Sequence, residues 1–306
     1  MKILAVKILL IISIVLSLDR MVSAYLKDGI DSYYDLNKNA DIVFIGHSRT
    51  ETGIDTKIVQ SILNIPVAKY AVSGTDIYAH FAMLKQYCNR NLHRKPVSIV
   101  FNIDKNYLVG ESPSKNISTL FYPYMDDVGI KEYVYDNKSS FSSYAEKKVF
   151  HLLRFVEVRN NSLRGLLGET KNYEWRMEAA NSPVKNKIKK QENTSSQTKI
   201  NLLNSMIDYA QRLDIKVIFV DIPDAEVVLG EETYSAIVRD IAAKKGVCYI
   251  NISKEFTKRY ELFFDKNHLN VKGRTIFSTR IARELERVLP SSHIVYTAEK
   301  PEPQRR

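Results

Sequence analysis

The sequence predicts an α/β protein in which a parallel sheet is covered by helices on both sides. Two observations carry this expectation. Short, continuous apolar runs bounded by polar residues recur along the chain, as strands buried on both faces require. Amphipathic stretches of helical period lie between most of them, and repeated strand–helix alternation argues for parallel pairing.

The elements follow in chain order. Ile3 to Leu18 is apolar apart from Lys7, and Asp19-Arg20 closes the run. That is slightly short of the ~20 residues that span a bilayer. Lys2 and Lys7 favour a cytoplasmic N-terminus. Residues 1–26 are therefore expected to form a hydrophobic helix that anchors the chain in the cytoplasmic membrane by a single pass, with the rest outside the cytoplasm. Val22-Ser23-Ala24 resembles a signal-peptidase site, so a cleaved signal peptide and a secreted product form the alternative. Residues 27–40, polar and tyrosine-containing, read as a spacer.

The α/β domain is expected over 41–289. Asp41 to Gly46 is a first strand, and Asp55 is a good N-cap for a helix through Leu63. Pro66 to Val72 forms a second strand ending at Ser73-Gly74, and Asp76 opens a helix to about Asn91. Val97 to Ile103, rich in β-branched residues, is a third strand. A helix over 198–213, a strand over 216–222, a helix over 232–245 and a strand over 247–252 resume the alternation. The last helix spans 271–289, with Ile276, Phe277, Ile281, Leu285 and Val288 at core-facing spacing.

Between Asp104 and Ser196 the pattern breaks. Residues 105–196 read as an insertion at the carboxyl edge of the third strand, rich in aromatics such as Phe121, Tyr122, Tyr124 and Tyr133, with a helical stretch over 144–167. Ligands of open α/β sheets bind outside the carboxyl ends of strands, so the insertion could form a lid or substrate wall, or its aromatics could pack against the sheet. Residues 290–306, rich in proline and charge at their end, read as a disordered tail.

A net charge of +10 fits nucleic acid, an anionic membrane surface or an acidic polymer. No zinc-finger spacing, helix-turn-helix signal or aromatic-basic strand motif points to nucleic acid. Cys88 and Cys248 read as buried free thiols, and no His/Cys cluster has metal-ligand spacing.

Two short blocks carry chemistry. Gly46-His47-Ser48-Arg49 ends the first strand, where a serine can expose its hydroxyl and its own N–H can meet a developing oxyanion. Asp265-Lys266-Asn267-His268 precedes the last helix, with Asn270 as its N-cap. Asp265 and His268 lie three residues apart, so one turn can bring the carboxylate to one imidazole nitrogen and leave the other facing Ser48. Arg49 could hold an anionic substrate group or pair within the fold.

These blocks resemble the SGNH-hydrolase (GDSL-like) superfamily, specifically its membrane-anchored cell-envelope members with a Gly-x-Ser-Arg block. The resemblance covers roughly 41–107 and 197–289. It implies a three-layer α/β/α, flavodoxin-like fold and acyl-ester chemistry on Ser48, Asp265 and His268, without metal or cofactor. It also implies an oxyanion hole of the backbone N–H groups of Ser48 and Gly74. Two departures stand out. His47 occupies the place of the Gly-Asp-Ser-Leu aspartate. The Gly-x-Asn-Asp block after the third strand is missing, leaving Asn102 inside the strand and Asn106 beyond it as a candidate third donor. The expected function is an exported serine esterase or O-acyltransferase of acylated envelope glycans, with a membrane acyltransferase as a partner. The alternative is a non-catalytic binding or assembly component that keeps the fold.

Overall fold

A computed structural model describes residues 2–104, 107–108, 117–169, 196–225 and 231–289. Its centre is a five-stranded, wholly parallel sheet: β1 (Ile42–Gly46), β2 (Val67–Ala71), β3 (Ser98–Asn102), β4 (Lys216–Asp221) and β5 (Cys248–Asn251). The strand order is β2-β1-β3-β4-β5, the flavodoxin-like order. Each strand falls inside a run predicted from the sequence. β1 to β3 are buried along their whole length, which explains why they read as continuous apolar runs rather than alternating ones.

Two cores sandwich the sheet. On one face Val43, Ile45, Tyr70, Phe101 and Phe219 pack with α4 (Ile77–Arg90), α8 (Gln197–Gln211) and α9 (Glu231–Lys245). On the other, Phe44, Val67, Val100 and Ile218 pack with α3 (Thr56–Leu63) and α10 (Val271–Val288). Alternate strand residues thus serve alternate layers, giving three layers. Phe277, Ile281 and Leu285 of α10 are fully buried, each worth about 1.5–3 kcal/mol relative to exposure. Asp55, Asp76 and Asn270 cap α3, α4 and α10 with their side chains, as the sequence predicts.

The N-terminal region departs from expectation. One helix, α1, runs from Lys2 to Tyr33 without a break at residue 26. The segment read as a spacer belongs to the body: Ile30, Tyr33, Tyr34 and Leu36 lie in the first core. Its tyrosines are the reason, since they bury large apolar rings while their hydroxyls reach polar partners such as Asn161 and Arg164. Residues 3–14 are exposed, and the helix meets the body from Val15 onward. Among the described residues, no helix is long and apolar enough to cross a membrane.

The described part of the insertion holds a 3-10 turn over Ile117–Tyr124, α5 (Ile130–Asp136), α6 (Phe141–Val149), a 3-10 turn over His151–Phe155 and α7 (Arg159–Leu166). The helix expected over 144–167 is therefore three short pieces. Phe121, Tyr122, Tyr124 and Tyr133 are buried in the first core, so these aromatics pack rather than line a cleft. Cys88 is buried and Cys248 half-buried, both unpaired, and burial pushes the Cys88 thiol up to about 12. The tail from residue 290 and most of the lysine-rich stretch after 170 lie outside the described residues.

Candidate active site

The site lies where the strand order reverses, at the carboxyl ends of β1 and β3. After β1 the chain turns at Gly46 and enters α2 (Ser48–Gly53), a short helix the sequence did not announce. Gly46 is needed for that turn: a Cβ there would come 2.0 Å from Thr50 Oγ1. Ser48 is the first residue of α2. His47 caps it, its Nδ1 accepting the Arg49 N–H at 3.3 Å. The far end of α2 is held by the buried ammonium of Lys69, which donates to the carbonyls of Glu51 and Ile54. Burial lowers the Lys69 pKa to about 7, against the opposing pull of Glu51.

The partner block sits on a tight loop closed at its base by an antiparallel bridge between Phe263 and Leu269. The Phe264 N–H donates to the His268 carbonyl and the Asn270 N–H to the Leu262 carbonyl. Buried Leu262, Phe263 and Leu269 fix this base in the second core. Asp265 Oδ1 accepts the N–H groups of Asn267 and His268, folding the four residues into one turn.

Ser48, His268 and Asp265 meet across 220 positions of chain. His268 Nε2 lies 3.0 Å from Ser48 Oγ, and its Nδ1 lies 2.8 Å from Asp265 Oδ2. A carboxylate can only accept, so Nδ1 carries the proton and Nε2 presents its lone pair to the hydroxyl. Burial would raise the Asp265 pKa. The hydrogen bonds from His268 and from the Asn267 N–H outweigh it and hold the carboxyl below its ordinary value. Asp265 therefore stays ionised beside the ring.

Gly74 faces the same cleft. Its φ of +79° lies in the region that favours glycine, and a Cβ would come 2.7 Å from Ile117 Cδ1. Among the described residues, neither the Ser48 nor the Gly74 N–H has a backbone or side-chain acceptor. Both are available to an oxyanion in the way an acyl-transfer site requires. The cleft holds about 320 Å³, and beside Ser48 and His268 it is lined by His47, Asp76, Ile77, Asp104, Tyr107 and Asn267.

Arg49 does not present its charge to that cleft. Its side chain is buried, with Nη1 at 3.1 Å from Asp104 and Nη2 at 3.4 Å from Asp224, and it also donates to the Ile222 carbonyl. The pairing within the fold, one of two alternatives the sequence leaves open, is the observed one. Asn102 is likewise internal. It is buried in β3, where its Oδ1 accepts the Ile222 N–H. Asn106 lies outside the described residues.

Sequence reasoning missed the shell that holds the serine side. Asp104 receives His47 Nε2–H at 2.7 Å as well as Arg49, tying the loop after β3 to the start of α2. His80 joins two further loops. Thr75 donates to the Val72 carbonyl at 2.6 Å, so its oxygen accepts from His80 Nε2 at 2.9 Å, and His80 Nδ1 then accepts from the Tyr107 hydroxyl at 3.0 Å. Complete burial drives the His80 pKa well below its ordinary value and keeps the ring neutral, as this donor order needs. The chain of bonds ties Thr75, next to Gly74, to Tyr107 in the loop after β3. The available signal was position alone: Asp104 and Tyr107 follow β3 as Ser48 follows β1. Among the described residues, no group of three His, Cys, Asp or Glu side chains is arranged to hold a metal ion.

No family model matches the chain, and no curated protein matches it. Some solved structures align with it over most of its length. A GDSL-like lipase from Bacteroides thetaiotaomicron is 12% identical, with 83% of this chain and 91% of that one covered at a TM-score of 0.41. A catalytic mutant of an acetylxylan esterase from Geobacillus stearothermophilus is 12% identical, with 82% and 95% covered at a TM-score of 0.41. Likeness at this level bears on neither substrate nor mechanism, and the functional reading rests on the side chains of the cleft.

Proposed function

We propose that this protein is a serine ester hydrolase or O-acyltransferase working through Ser48, His268 and Asp265. The observation that carries the reading is the continuous hydrogen-bonded line from Ser48 Oγ through the imidazole to the Asp265 carboxylate. Ser48 Oγ attacks the ester carbonyl while His268 Nε2 takes its proton. The tetrahedral oxyanion is held by the N–H groups of Ser48 and Gly74. Collapse of the intermediate expels the alkoxide, which takes the proton back from His268, and leaves an acyl-serine. Asp265 fixes the tautomer and stabilises the imidazolium. Water, deprotonated by His268, then releases the acid; a sugar hydroxyl in the same place gives a new ester.

Acylated envelope glycans are the substrate class we favour. Support comes from the motif resemblance, and hydrogen-bonding side chains of His47, Asp76 and Asn267 stand in the cleft where a hydroxyl-rich leaving group would meet them. Attachment to a membrane through residues 3–18, with the catalytic body outside the cytoplasm, belongs to the same reading. A membrane acyltransferase would be the natural donor partner. One observation favours a non-catalytic role instead: Asn102 is committed to the fold, so the hole has two described donors.

The test is release of acetate from acetylated oligosaccharides, with free oligosaccharide added as acceptor. Turnover by the wild type and none by Ser48→Ala supports the enzyme. Acetyl transfer to the added sugar at the expense of acetate selects the transferase. Absence of both, on a panel of acyl sugars and simple aryl esters, returns the non-catalytic reading.

A further inference from the structure

The proposed attachment has an unexplained gap. Ile3 to Leu18 as a helix is about 24 Å long, against about 30 Å of hydrocarbon core, and the next residue is an aspartate. The structure shows what happens to that aspartate. Asp19 is buried, and its two carboxylate oxygens accept the N–H groups of His151 and Leu152 at 2.8 and 2.9 Å. Its charge is thus satisfied by the first N–H groups of the 3-10 turn over His151–Phe155, with Arg20 at 3.4 Å.

That contact brings Phe150, Leu152 and Leu153 against Val15, Leu18 and Val22, forming a wholly apolar concavity beside the helix. Leu152 and Leu153 remain 38% and 39% exposed, and Leu18 remains 52% exposed. Exposed apolar surface of this extent, continuous with the rest of the helical run from Ile3, is not ordinary for a soluble monomer. Apolar surface now passes the Asp19 position and continues to Val22, where the helical length from Ile3 reaches about 30 Å.

We propose that α1 and the segment 149–153 form one composite surface that seats the body in the acyl-chain region of a lipid bilayer, rather than leaving it on a free tether. The occupant is lipid because the patch continues from a run, Ile3 to Leu18, whose only charged residue is Lys7 and whose large apolar side chains are exposed along its length. A partner protein would need only one face of that helix. Arg20, exposed at the rim, sits where it can meet an anionic headgroup. The inference deepens the attachment reading and is independent of the ester chemistry.

Full-length protein carrying Cys248→Ser and one new cysteine, labelled with an environment-sensitive nitrobenzoxadiazole dye, tests it on phosphatidylcholine–phosphatidylglycerol vesicles containing doxyl lipid. Dye at Val15→Cys and at Leu153→Cys should both shift to the blue and be quenched on vesicle addition. Dye at Lys244→Cys, an exposed position of α9, should not change. Quenching at 15 without quenching at 153 overturns the composite seat and leaves the tether. Quenching at neither position overturns both. A blue shift at 153 before vesicles are added, with sedimentation as a dimer, means that a second copy covers the patch, and also overturns the proposal. Leu152→Asn with Leu153→Asn, both half-exposed and so tolerated by the fold, should lower the vesicle-bound fraction about tenfold or more at unchanged unfolding midpoint. An unchanged bound fraction counts against the seat.

Discussion

The two ends of this molecule invert the usual distribution of polarity in opposite ways. At the carboxyl edge of the sheet and just below it in β2, charged and polar groups are inside: Arg49, Asp104, His80 and Lys69 are all buried, each with partners. Along α1, large apolar groups are outside: Ile3, Leu9 and Leu10 are among the most exposed hydrophobic side chains. Burying charge is expensive unless it is paired, and exposing apolar surface wastes the main driving force of folding. Each departure therefore points to something the fold alone does not need. On the proposed reading, the first pre-positions a nucleophile and its oxyanion donors and the second leaves surface for a partner phase.

If the contrast is right, changes at the sheet edge should alter chemistry while leaving membrane association intact. The largest effect is expected from Ser48→Ala or His268→Ala, each lowering kcat by about 10⁴–10⁶ with little change in unfolding midpoint, read from ester turnover and thermal denaturation. Gly74→Ala comes next. Its left-handed φ and the contact with Ile117 should displace the loop and cost about 10²–10³ in kcat with KM nearly unchanged. Asp265→Asn removes the tautomer lock on a residue that is only half-buried, so a loss of about 10²-fold is expected in kcat.

His80→Gln sharpens the comparison within the site itself. A glutamine cannot keep both the Thr75 and the Tyr107 bonds in line. The expected result is about tenfold lower kcat and a stability loss of about 1–3 kcal/mol by denaturant titration. A stability loss with unchanged kcat would make His80 a packing residue and nothing more.

Lys69 supplies the smallest effect and a pH signature. Its folded pKa, lowered to about 7, lies below the ordinary lysine value, so between them the unfolded chain binds the extra proton. Stability linked to this group therefore rises with pH across that window. Relative to Lys69→Met, which cannot titrate, wild-type stability should improve from pH 7 to pH 9. A constant difference across that range would show that burial does not depress the group.

Much of the fold was legible because β1, β2 and β3 are buried on both faces, and double burial writes itself as an unbroken apolar run. Asp55, Asp76 and Asn270 were legible as caps because a cap is a local interaction. The Asp265–His268 turn was readable for the same reason. Ser48 on a helix was not, because Ser48–Gly53 has no apolar stripe and its far end is held by Lys69, a contact set by tertiary packing. The buried network of His47, Asp104 and Arg49 was also hidden, since charge pairing between loops leaves no periodic trace. Residues 27–40 misled because tyrosines scored as polar spacer while their rings filled the core.

Reaction with a fluorophosphonate probe, followed by peptide mapping of the adduct, tests the central claim most directly. The account predicts a stable phosphonyl adduct on Ser48 in the wild type, formed far more slowly in His268→Ala and absent in Ser48→Ala. Folded wild-type protein that stays unlabelled, or an adduct on any other residue, would contradict it.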